Sequence, residues 1–118
     1  MKCPYCDRPA KWVDNAEIYG RRYGKSYMMW WCKPCDALVG CHNNTEKPLG
    51  TLANKELRNW RRQAHAVFDP SWKLNPAVSR RRAYVLLAEH FGKPIHIGES
   101  DIQTCKEIIY YCMNSLEL

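Results

Sequence analysis

Four cysteines form two pairs of identical spacing, Cys3 with Cys6 and Cys32 with Cys35. Such a Cys-x-x-Cys knuckle is a tight turn that directs two sulfurs toward one point. Four thiolates match the tetrahedral geometry and the soft ligands that a structural zinc ion prefers. The spacing therefore predicts one structural zinc ion bound by Cys3, Cys6, Cys32 and Cys35.

The other three cysteines need a different interpretation. Cys41 and the adjacent His42 follow the second knuckle, and either could replace a sulfur ligand, although the two knuckles already supply four. Cys105 and Cys112 lie two turns apart on the apolar face of a predicted helix. That is about 10 Å along the axis, too far for a disulfide between them, so we expect buried thiols.

The residues between the knuckles have the pattern of short strands. We predict strands at 11–13 and 17–19 around the turn Asp14-Asn15, and a stronger strand at 26–31 that leads directly into Cys32. A further strand is expected at 37–39. A knuckle, a hairpin and a second knuckle, in this order, are typical of a zinc ribbon.

Apolar periodicity predicts three helices after the second knuckle, at about 53–68, 76–91 and 101–114. Asn75-Pro76 is expected to begin the second helix, which should form the buried centre of its module, and Ser100 with Gln103 is expected to cap the third. The predicted fold class is α+β, an amino-terminal zinc-ribbon-like antiparallel hairpin followed by a small bundle of three helices. We expect a zinc-ribbon module at 1–45 and a basic three-helix module at 46–118, packed on it or tethered to it.

The net charge of +6 is unevenly distributed along the chain. Residues 47–93 hold ten lysines and arginines and three acidic residues, a net charge of +7. A surplus of this kind suits a polyanionic partner, although it would also suit a merely solvated surface. The first helix carries a cationic stripe beside its apolar stripe, expected to face solvent on a surface shared with the arginines of the second helix. The predicted nucleic-acid-binding residues are Arg21, Arg22, Arg58, Arg61, Arg62, Arg80, Arg81 and Arg82.

Two other functions are consistent with the sequence. A protein–protein adaptor or inhibitor would use tryptophans beside arginines as its hot spot, namely Trp30, Trp31, Trp60 or Trp72. A hydrolase would draw on the polar residues His42, His65, Asp69 and His96, but no catalytic signature such as His-Glu-x-x-His is present. We therefore favour a non-enzymatic protein that binds nucleic acid.

A set of short motifs extends over nearly the whole chain, namely both knuckles, His42, the run 48–53 (Pro-Leu-Gly-Thr-Leu-Ala), Ala64-His65, Phe68-Asp69, Ala83-Tyr84 and His96-Ile97-Gly98. In these motifs the chain resembles a family of small zinc-finger-containing proteins encoded largely by phages and prophages. The resemblance implies a zinc-finger fold and a phage origin, and it implies no particular activity.

The expected setting follows from both lines of reasoning. No secretion signal precedes the first knuckle, and no apolar run approaches the roughly 20 residues that span a bilayer. We therefore expect reduced thiols and no membrane contact. Together with the phage resemblance, this predicts that the protein is located in the cytoplasm of a bacterial host. The expected partner is DNA rather than RNA, and the alternative partner is a host protein.

Overall fold

The computed structural model describes residues 1–43 and 45–115. Its compact parts are two units, one of residues 1–56 and one that begins at Leu57. In the described residues, the first unit contains three strands and one short helix, and the second contains helices. The α+β class is therefore confirmed, with an antiparallel sheet followed by four helices in the part of the chain that the structure describes.

The sheet of the first unit has the order β1-β2-β3 and is antiparallel throughout. Its strands are β1 (Lys11–Asp14), β2 (Met28–Cys32) and β3 (Ala37–Gly40). In the register, Trp12 lies opposite Trp30, and Cys32 lies opposite Ala37. The predicted antiparallel hairpin is thus present, and the strand expected at 37–39 is the third strand of the sheet.

The strand predicted at 17–19 is wrong, because these residues lie in the short helix α1 (Ala16–Tyr19). The carboxylate of Asp14 accepts a hydrogen bond from the backbone N–H of Ala16 at 2.9 Å, which favours a helical turn. The buried side chain of Asn15 then exchanges two hydrogen bonds with the backbone of Tyr23, at 2.9 and 3.1 Å. These hydrogen bonds between side chains and the backbone favour the helical turn over a strand.

The residues after β3 continue to pair with it. Leu38 and Ala53 form an antiparallel bridge with two backbone hydrogen bonds of 3.1 and 3.2 Å, and Cys41 bridges Pro48. Leu52, which is 1% exposed, completes the core beside the knuckles. The first unit therefore needs the chain as far as Ala53 to cover its sheet.

The second unit contains α2 (Lys55–Phe68, which starts at the end of the first unit), α3 (Pro70–Lys73), α4 (Arg80–Phe91) and α5 (Ile102–Ser115), with a 3-10 turn at Ile97–Glu99. Helix α2 begins two residues later than predicted because Ala53 is paired with Leu38 of β3. It ends before Asp69 as expected, but Pro70 then starts a separate single turn.

Helix α4 does not begin at Asn75-Pro76. Asn75 instead closes a local turn, since its side chain accepts from the N–H of Ala77 at 3.0 Å. The N-cap is Ser79, whose hydroxyl oxygen accepts from the N–H of Arg82 at 3.0 Å. Arg80 to Arg82 consequently form the first turn of α4.

Helix α4 is also less buried than its apolar residues predict. Ala83 and Leu87 are buried, but Val85 is 39% and Leu86 is 37% exposed. The core of the second unit draws more evenly on all of its longer helices and on the loop before α5, through Leu57, Ala64, Phe68, Ala83, Leu87, Ile95, Ile97, Cys105, Ile108 and Cys112.

The cap of α5 is Asp101 rather than Ser100. The carboxylate of Asp101 accepts from the N–H of Thr104 at 2.8 Å, which lowers the pKa of this acid. Ser100 is buried and donates its hydroxyl to the carbonyl of His96 at 2.7 Å.

In the described part of the chain, no helix combines the length and the apolar character that crossing a bilayer requires.

Candidate metal centre and basic surface

Each knuckle is built by short-range backbone hydrogen bonds. In the first, the N–H of Asp7 donates to the carbonyl of Cys3 at 2.9 Å, and the N–H of Cys3 donates to the carbonyl of Arg8 at 2.8 Å. The second knuckle is the connection between β2 and β3, with Cys32 as the last residue of β2. Its turn is closed by the N–H of Asp36, which donates to the carbonyl of Lys33 at 3.1 Å.

The structure brings the four predicted ligands together. Their sulfur atoms all lie within 4.8 Å of one another, and the sulfurs of Cys6 and Cys32 are 3.7 Å apart. In a tetrahedron with zinc–sulfur distances of about 2.3 Å, neighbouring sulfurs are about 3.8 Å apart. The donor set therefore fits a single tetrahedral zinc ion.

The surroundings of the sulfurs indicate a structural ion. Cys3 and Cys32 are 0% and 4% exposed, Cys6 and Cys35 are half-buried, and all four pack with Ala10, Ala37 and Leu52. Four protein ligands complete the coordination of zinc and leave no position for water or substrate. The site is thus suited to holding the fold together.

The thiols have different proton affinities. The thiol of Cys6 and the other neighbouring sulfurs, together with burial, raise the pKa of Cys35 to about 12. Burial raises the pKa of Cys32, whereas the backbone N–H of Arg8 lowers the pKa of Cys6. A divalent cation at the centre would favour the thiolate in each case, so metal binding would release protons.

An aspartate follows each knuckle, and the sequence pattern alone did not reveal its part in the site. Asp7 and Asp36 have φ values of +62° and +50°, in the left-handed region that side chains other than asparagine and aspartate rarely adopt. These residues turn the chain away from the second sulfur of each knuckle. The repeated Cys-Asp dipeptide was the signal that could have identified them.

Cys41 and His42 are not part of the metal-binding cluster among the described residues. Cys41 is buried beside Trp12 and Trp30, and burial raises the pKa of its thiol. His42 is exposed, and its backbone N–H donates to the carbonyl of Lys47 at 3.0 Å. Both residues therefore belong to the turn after β3.

The family model DUF3268, described as a zinc-finger-containing domain, matches residues 1–115. The chain belongs to this family. No curated protein and no solved structure matches the chain. Family membership and the four clustered thiols together support one structural zinc ion, as the spacing predicted.

The basic residues of this zinc-finger-containing domain lie in two kinds of environment. In the first unit, Arg22 donates to the carboxylate of Asp14 at 2.6 Å and lies 4.1 Å from the ring centroid of Tyr27. Arg21 lies 4.8 Å from the ring centroid of Tyr23. Both arginines are exposed, and both already interact with neighbours in their own unit.

The three arginines of α2 are not equivalent. Arg62 is exposed, whereas Arg58 and Arg61 are half-buried. The Nε of Arg61 donates to the carbonyl of Ser100 at 3.0 Å, so it joins α2 to the residue before the cap of α5. Arg61 therefore has a structural contact that the helical pattern did not predict.

Arg80, Arg81 and Arg82 are exposed in the first turn of α4. In the described residues none of them forms an ion pair with a carboxylate. Arg80 lies over the ring of Tyr84, with its guanidinium carbon 5.2 Å from the centroid. These side chains thus keep their charge toward solvent.

The remaining candidate residues have local partners. Nδ1 of His65 lies 3.3 Å from a carboxylate oxygen of Asp69, one helical turn away, and His96 packs against Tyr84 with ring centroids 5.5 Å apart. Cys105 and Cys112 are buried in α5, where burial raises the pKa of both thiols, that of Cys112 to about 11. The candidate hot-spot tryptophans are all half-buried, namely Trp30, Trp31, Trp60 and Trp72.

Proposed function

We propose that this protein uses a zinc-stabilised fold to bind nucleic acid through the basic surface of its helical unit. DNA is the favoured partner over RNA. The proposal places the protein in the cytoplasm of a bacterial host, which accords with its resemblance to phage-encoded proteins. In this proposal the zinc ion has a structural role, and the arginines contact the nucleic acid.

The observation that carries this proposal is the first turn of α4. Three successive arginines occupy it, exposed and without a carboxylate partner in the described part of the chain. The amino-terminal end of a helix carries partial positive charge, so three cations at this end are unfavourable for the helix itself. A phosphate backbone would offset this repulsion and accept several guanidinium hydrogen bonds.

The other proposed arginines differ in how readily they could reach a phosphate. Arg62 is exposed, so it can extend the contact along α2. Arg22 and Arg61 would have to share or exchange their present partners, Asp14 and the carbonyl of Ser100. We therefore expect Arg62 and the three arginines of α4 to contribute most of the affinity.

The test is equilibrium binding of the zinc-loaded full chain to labelled oligonucleotides, measured by fluorescence anisotropy over a range of salt concentrations. Replacing Arg81 and Arg82 by alanine should weaken binding and reduce the salt slope by about one unit for each phosphate that is no longer neutralised. Lys106→Ala, which removes one exposed cation from α5, serves as the charge control. Wild-type protein that shows no salt-dependent binding to DNA or RNA would refute the proposal.

A protein-binding function is the second candidate, and an apolar patch on α5 favours it. Tyr110 is 73% and Met113 is 58% exposed, and they lie three residues apart on the same helical face. Aromatic and methionine side chains are enriched at protein interfaces. Binding of a protein to such a patch would depend weakly on salt, and the oligonucleotide titration would then show no binding.

A further inference from the structure

A pocket of about 550 Å³ lies beside the first two turns of α4. Helix α4 and the loop that leads to the 3-10 turn form its walls. The side chains that matter chemically are those of Arg80, Arg81, Tyr84, Pro94 and His96. Its volume is in the range of about 300–1,000 Å³ that is typical of small-molecule sites.

The pocket places flat rings beside guanidinium groups. The rings of Tyr84 and His96 are 5.5 Å apart and inclined at 37°, and the guanidinium of Arg80 lies 5.2 Å from the Tyr84 centroid. Phe68 supports Tyr84 from within the unit, with ring centroids 4.6 Å apart. Because the Tyr84 ring contacts three side chains, its orientation is defined before any ligand arrives.

The electrostatics of the pocket favour an anion joined to a flat apolar group. Arg80 and Arg81 are exposed at its rim, and the lining residues contain no acid. A tyrosine phenol is already neutral near pH 7, and burial raises the pKa of Tyr84 further, so this residue adds no negative charge. His96 is exposed, so a face of its imidazole is accessible to a planar ligand.

We infer that this pocket holds one unstacked nucleotide of a single-stranded nucleic acid, with the base against Tyr84 and His96 and the phosphate at Arg80 and Arg81. The inference rests on the proposed function and specifies its substrate. Bases in a duplex are already stacked and paired, and removing one from the helix costs a few kcal/mol. Bases of a single strand present their faces, and aromatic side chains bind them with little dependence on sequence.

The experiment compares a single-stranded oligonucleotide with the duplex of the same length, as DNA and as RNA, bound to the zinc-loaded full chain. The single strand should bind more tightly. His96→Ala should weaken single-strand binding at least about fivefold, the lower limit for removing one stacked base, and should leave duplex binding nearly unchanged. His96→Phe, which keeps a ring at this position, should restore much of the single-strand affinity.

Arg82→Ala is the matched control because Arg82 is exposed on the same turn but does not line the pocket. It should weaken single-strand and duplex binding by the same factor. Salt-dependent binding with equal affinity for both forms, insensitive to His96→Ala, would overturn the inference and leave the proposed function intact. Failure to bind either form at low salt would overturn both.

Discussion

The cysteines and aspartates of the knuckles contribute to the metal centre in different ways. Each cysteine offers a sulfur at a distance that one tetrahedral ion can span, whereas each following aspartate holds the left-handed backbone that ends the knuckle. The ligands could be predicted because Cys-x-x-Cys is a local pattern. The arginine contacts could not, because the partner of Arg61 lies 39 residues away in the sequence.

At the metal centre, replacing Cys35 by serine should reduce bound zinc to well below one ion per chain. A hydroxyl is a much poorer zinc ligand than a thiolate, and three sulfurs leave the tetrahedron incomplete. Cys41→Ala is the control, since Cys41 is buried outside the cluster, and this variant should keep one zinc. Metal analysis of both purified variants gives the result. A Cys35→Ser protein that retains wild-type zinc content would exclude the four-cysteine site.

The left-handed backbone at Asp7 predicts an unusual order of stability among substitutions. Asp7→Ala should weaken zinc binding about fivefold, because alanine at a φ of +62° costs about 1 kcal/mol. Asp7→Gly should bind as tightly as the wild type, since glycine adopts this conformation without strain. Competition with a zinc chelator measures both affinities. Equal affinities for the alanine and glycine variants would show that the backbone at this position relaxes.

Among the secondary-structure elements, α2 and α5 were predicted, whereas α1 and the beginning of α4, which depend on hydrogen bonds between side chains and the backbone, were not. Helix α2 ends where Asp69 precedes a proline, and α5 follows its apolar periodicity. Helix α1 has strand-forming residues but is fixed by the side chains of Asp14 and Asn15. The partner of Asn15 is the backbone of Tyr23, eight residues away, which lies outside the short strand pattern at 17–19.

The beginning of α4 shows how two valid signals can compete. Asn75-Pro76 and Ser79 are both typical N-terminal signals for a helix. The structure uses Asn75 for a turn and Ser79 for the cap. The outcome matters for function, because it places the three arginines in the first turn rather than inside the helix.

Ser79 should therefore stabilise the second unit measurably. Ser79→Ala removes the hydroxyl that accepts from the N–H of Arg82 and should lower the free energy of unfolding by about 1 kcal/mol. Ser79→Asn keeps a good cap and should lie close to the wild type. Chemical denaturation followed by far-UV circular dichroism measures the difference. A larger destabilisation by Asn75→Ala than by Ser79→Ala would instead indicate that the helix is capped at Asn75.

At the level of the whole molecule, all four zinc ligands lie in the first unit, and the second unit has its own apolar core. The first unit is small, so much of its folding free energy should come from the metal. A strong chelator should therefore unfold residues 1–56 and leave much of the helical structure. Hydrogen exchange measured by region tests this. Simultaneous loss of protection in both units would show that they fold as one.

The pairing of residues after β3 also affects how the protein behaves at high concentration. An outer strand with unpaired backbone groups is a template onto which another chain can add, which leads to aggregation. Here Leu38 is already paired with Ala53, and Cys41 with Pro48, so part of the β3 edge of the sheet is covered by the protein's own chain. At the opposite margin, β1 is only four residues long and begins with the exposed Lys11. Short length and charge both discourage strand addition, so the sheet is protected against growth into fibrils from either side.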